Sequence, residues 1–130
     1  MPYYKVVRLE GHAIRSSTVE EPQMIVDYHM HEFVKAPEWL EAGGYGLFVF
    51  DSKLEALLYW DCRETTEGYL VSFGVFECEI GKVLPQAVIC CTLMLYRFAA
   101  KRDFEIPHTH PLGHWDHSVM TDKVKLLRKV

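Results

Sequence analysis

Short apolar or alternating stretches recur along the chain, separated by turn-forming residues. Tyr3 to Leu9 (YYKVVRL) is rich in β-branched and aromatic residues, which predicts a strand. Gly11 and the polar run Arg15 to Gln23 set it apart from Met24 to Val34 (MIVDYHMHEFV). There Met24, Val26, Tyr28 and Met30 share one face, and Ile25, Asp27, His29 and His31 share the other, the pattern of a second strand. Pro37 and Gly43-Gly44 bracket one helical turn. Gly46 to Phe50 is a continuous apolar run, as in a buried strand. Ser52-x-x-Glu55 has the spacing of a capping box, so a helix starts there, with Leu54, Leu57, Leu58 and Trp60 as its inward stripe. Glu64 to Gly68 reads as a loop.

The second half is less regular. Tyr69 to Ile80 predicts a long strand, with Phe76, Cys78 and Ile80 on one face and Val75, Glu77 and Glu79 on the other. Ala87 to Phe98 is apolar throughout and reads as strand in its first half. Pro107, Pro111 and Gly113 make Ile106 to His117 irregular. Ser118 to Val130 closes as a short helix, with Met120, Val124 and Leu127 inward. Strands and helices are mixed without a regular βαβ alternation. The expected fold is therefore α+β: a single domain, with a mainly antiparallel curved sheet and two or three short helices.

Composition narrows the class. The 130 residues suit one domain with a real core, and 49% hydrophobic with 25% charged residues is ordinary for a globular chain. A net charge of −4 speaks against nucleic-acid binding. The local basic run of Lys123, Lys125, Arg128 and Lys129 reads as the solvated face of a helix. No apolar run is long enough to cross a bilayer, and the charged start MPYYKVVRLE lacks a signal-peptide pattern, so a cytoplasmic protein without membrane contact is expected. Cys62, Cys78, Cys90 and Cys91 lack paired spacing and read as small buried thiols.

Four groups of residues could carry chemistry. His108, His110, His114, Asp116 and His117 crowd one proline-stiffened segment, and imidazole with carboxylate suits zinc or another divalent metal. His29 and His31, two apart on the expected strand, could join them in one site. Hydroxyls beside a guanidinium in Arg15-Ser16-Ser17-Thr18 could cradle a phosphate. Glu77 and Glu79, on one strand face, could divide acid and base roles if their environments differ.

Tyr3-Tyr4-Lys5-Val6-Val7-Arg8, a serine-rich turn, then Gly46-Leu47-Phe48-Val49-Phe50-Asp51-Ser52 leading into Glu55-Ala56-Leu57 loosely resembles small ADP-ribosyltransferase-like domains of the RES type. The resemblance covers roughly the first half of the chain. It implies a nicotinamide nucleotide as ligand, with Arg8, Ser16 and Ser17 facing it and Glu77 as an acidic residue.

Three functions compete. The leading expectation is a non-catalytic module that binds a partner protein or itself, including as a homodimer. It rests on three Trp, seven Tyr and seven Phe beside no convincing active site. The alternatives are a divalent-metal-binding protein using both histidine groups and an ADP-ribosyltransferase-like nucleotide-binding enzyme.

Overall fold

A computed structural model describes residues 2–16, 25–41, 46–67, 72–84 and 118–130. Strands β1 (Tyr3–Glu10) and β2 (Ala13–Ser16) form a hairpin. Gly11 takes a φ of 61° at the first central position of its turn, where a tight hairpin needs a left-handed residue. β3 (Asp27–Tyr28), β4 (Phe33–Lys35) and the single turn α1 (Glu38–Glu41) follow. Then come β5 (Leu47–Phe50), helix α2 (Lys53–Glu67), β6 (Ser72–Ile80), β7 (Ser118–Thr121) and β8 (Lys123–Lys129).

The eight strands of the described residues lie in one sheet, in the order β3-β2-β1-β6-β8-β4, with β5 joining β1 to β7. Every paired strand runs antiparallel to its neighbour. The path also closes on itself. β3 pairs with β2, and Met30, just beyond β3, bridges to Leu126 of β8. β8 pairs with β6, and β6 with β1. The sheet is thus rolled into a barrel-like ring.

Rolling gives β1 two covered faces, so its side chains divide by parity. Val7 points into the ring, where it packs with Tyr28, Phe76, Cys78, Val124 and Leu126. Val6 points outward, where Val75, Ala56 and Tyr59 bury it beneath α2. Ser52 Oγ accepts the Glu55 N–H at 3.3 Å, so Ser52 caps α2, which starts where the spacing predicts. Two contacts dock the helix: the Phe50 and Tyr59 rings at 5.6 Å, and a Trp60 Nε1 hydrogen bond to the Phe73 carbonyl at 3.1 Å.

Several expectations are overturned. The α+β class with two or three short helices gives way to a mostly antiparallel sheet carrying one long helix and a single helical turn among the described residues. The main reason lies at the C-terminus, where the expected helix is the β7–β8 hairpin. Val124 and Leu126 are buried while Lys123 and Lys125 are partly exposed, a two-residue period. The strand expected over Met24 to Val34 breaks after Tyr28, because His31 adopts a φ of 64° in a turn. The helix runs through Glu64 to Glu67, where a loop is expected. Of its expected inward stripe, Leu57 and Trp60 do pack against the core beside Ala56 and Tyr59, whereas Leu54 and Leu58 are exposed. The segments Ala87 to Phe98 and Ile106 to His117 lie outside the described residues. No helix among the described residues is long and apolar enough to cross a membrane.

Candidate functional site

The outer face of β4 and β8 carries the arrangement that sequence reasoning misses. Phe33 sits opposite Lys125, and Lys35 opposite Lys123. Alternation sends Val34, Val124 and Leu126 toward the core, so Phe33, Lys35, Lys123 and Lys125 share the outer surface. Phe33 remains 42% exposed, a large apolar group left facing water. The ammonium nitrogens of Lys123 and Lys125 stand 4.5 and 4.7 Å from its ring centroid. Each cation is attracted to the ring face, by about 0.5–1 kcal/mol at such an exposed site. The ring is thereby held, and two positive charges are held beside it. Lys125 also pairs with Glu79 at 3.1 Å. Among the described residues, no carboxylate lies within ion-pair distance of Lys35 or Lys123. The alternation of Lys123-Val124-Lys125-Leu126 is the signal that reveals this face.

The residues expected to face a nucleotide are occupied structurally. Arg8 is buried, with Nε 2.8 Å from Glu10 Oε1. Arg15, directly across the ladder from Arg8, reaches the other Glu10 oxygen at 2.9 Å and Asp27 Oδ1 at 3.0 Å. Ser16 is buried too, and its Oγ accepts the Val26 N–H at 3.0 Å. Glu77 receives a hydrogen bond from Arg128 Nε at 2.6 Å. Arg8 faces Phe73 and Glu77 faces Tyr4, so four positions of β1 separate them. Ser17 lies outside the described residues. An open groove of about 460 Å³ lies beside β6, lined by Tyr3, Glu77, Cys78, Glu79 and Leu127 among others. Its two carboxylates are those already engaged by Arg128 and Lys125.

His29 and His31 are both exposed, in the link between β3 and β4. The His31 amide donates to the Leu126 carbonyl at 2.9 Å, which fixes the turn. Among the described residues no group of three His, Cys, Asp or Glu side chains is placed to hold a metal. His108, His110, His114, Asp116 and His117 lie outside the described residues.

One buried charge stands apart. Lys5 has the parity of Val7 and so points into the ring, where it is 6% exposed. Its Nζ donates to the Phe48 carbonyl at 2.6 Å and lies 5.6 Å from the Tyr28 ring centroid. Burial disfavours the ammonium and brings its pKa down to about 8, with the Cys78 sulfur opposing the shift. Burial pushes the Cys78 thiol up to about 12 in turn, Lys5 acting against that shift and Glu77 with it. Both groups are enclosed by core side chains, which makes them determinants of stability. No protein-family model, characterised protein or solved structure matches this chain.

Proposed function

We propose that this chain is a non-catalytic binding module, working in the cytoplasm, that holds an acidic partner protein on the outer face of β4 and β8. The observation that carries this reading is the exposed Phe33 ring with the Lys123 and Lys125 ammonium groups 4.5 and 4.7 Å from its centroid. Such a surface offers apolar area and charge together. A partner's aliphatic or aromatic side chain covers the ring, while its carboxylates meet Lys35 and Lys123. Aromatic residues are enriched at interface cores because they bury much area at little entropic cost. The lysines add orientation and encounter rate, since complementary charge steers association. They stand out in a chain whose net charge is −4.

The test is chemical-shift mapping of the labelled protein during titration with a short peptide of alternating glutamate and valine at low salt. The expected result is saturable shifts centred on Phe33, Lys35, Lys123 and Lys125, lost in Phe33→Ala. Shifts that neither saturate nor cluster there would overturn the reading. Light scattering separates the homodimer version: there the protein doubles its mass without peptide, and Phe33→Ala restores the monomer.

A further inference from the structure

We infer that the acidic segment is taken up as an added β-strand along the outer edge of β4, a mode of recognition that rests on the binding reading above. The edge is geometrically open among the described residues, since β4 ends the sheet path and pairs there only with β8. Its register decides which backbone groups face outward. The Ala36 N–H donates to the Asp122 carbonyl at 2.8 Å. In an antiparallel ladder, hydrogen-bonded and non-hydrogen-bonded pairs alternate. Val34 opposite Val124 therefore turns its backbone groups toward β8, and Phe33 and Lys35 turn theirs away. Each of these two residues presents an N–H and a C=O to the edge. Its side chain lies on the same outer surface as Lys123 and Lys125.

The chemistry of that edge selects the occupant. Edge strands bearing lysine resist pairing with a neutral or basic strand, because the incoming chain must bury its side chains beside a positive charge. A second copy of β4 would set Lys35 and its flanking lysines against the same lysines. A strand with carboxylates on its outward face instead meets Lys35 and Lys123 with complementary charge, while main-chain hydrogen bonds supply affinity. Alternate positions of such a strand fall on one face, so every second residue being Glu or Asp is the pattern the surface reads.

Hydrogen exchange with the alternating glutamate–valine peptide, and with a copy N-methylated at alternate positions, tests the mode. The expected result is exchange at the Phe33 and Lys35 amides slowed by about tenfold or more on saturation, with binding lost on N-methylation. Lys35→Pro, which removes the outward N–H, should weaken binding beyond Lys35→Gln, which removes only the charge. Saturable binding at Phe33 without protection of those amides, and indifferent to N-methylation, would overturn strand addition while leaving the binding reading intact. Absence of saturable binding to either peptide would remove both.

Discussion

The Lys5 ammonium nitrogen lies 2.6 Å from the Phe48 carbonyl oxygen, inside the rolled sheet. Because burial holds the Lys5 pKa near 8, below the ordinary lysine value of 10.5, the unfolded chain binds the extra proton more tightly. Stability therefore rises with pH from about 8, where the folded chain has released the proton and the unfolded chain still holds it. Cys78 works the other way. Its thiol stays protonated to about 12 in the folded chain and ionises near 9.0 when unfolded, so stability is lost as pH climbs through that interval. The two opposed slopes give a maximum between pH 9 and 10.5. Urea denaturation across pH 7 to 11 should show it. Lys5→Met should remove the rise above pH 8 and stabilise the fold at pH 7 by about 2 kcal/mol, the desolvation cost less one hydrogen bond.

Leu126 and Leu54 make a second contrast, being fully buried and 65% exposed respectively. Leu126→Ala should cost about 3 kcal/mol, because it leaves a cavity inside the ring. Leu54→Gln and Leu58→Gln should each stay within about 0.5 kcal/mol of the parent chain. Thermal or chemical denaturation at neutral pH checks both.

Ser16 acts as a buried acceptor for the Val26 amide. Ser16→Ala leaves that N–H without the hydroxyl and should cost about 2 kcal/mol, within the range for stranding a buried polar group. A ligand-cradling serine would leave stability unchanged on substitution, so the denaturation midpoint separates the two roles.

His31 holds a left-handed backbone, with φ at 64°. A Cβ disfavours that conformation by about 1–2 kcal/mol, partly offset by the greater unfolded freedom of glycine. His31→Gly should therefore stabilise by about 0.5 kcal/mol, and the β-branched His31→Val should destabilise by about 1 kcal/mol or more. The reverse order in denaturant midpoints would contradict a turn-forming role.

Local signals carry furthest in this sequence where one covalent neighbourhood decides the structure. The Ser52 cap, the β5 run and the first strand all form as their residues predict. What escapes is set by distant partners. The burial of Lys5 has no local signal, since lysines usually face solvent, yet it shares parity with Tyr3, Val7 and Leu9 on a strand covered on both faces. The α2 stripe is half legible: Leu57 and Trp60 pack against the core as expected, but small Ala56 meets Val6 and Val75, and Leu54 and Leu58 face outward. Phe33 is legible only once β8 is known as a strand, since the ring finds its two lysines across the ladder and not along its own segment. The site residues at His108 to His117 belong to a part of the chain whose placement the described residues do not include.

Charge reversal addresses the acidic-partner reading most directly. Affinities for glutamate–valine and lysine–valine peptides are measured on the parent chain and on Lys35→Glu/Lys123→Glu. The parent should bind the glutamate peptide and ignore the lysine peptide, and the double variant should reverse that preference with its fold intact by circular dichroism. Equal affinity of both chains for both peptides would contradict a surface that selects its partner by charge.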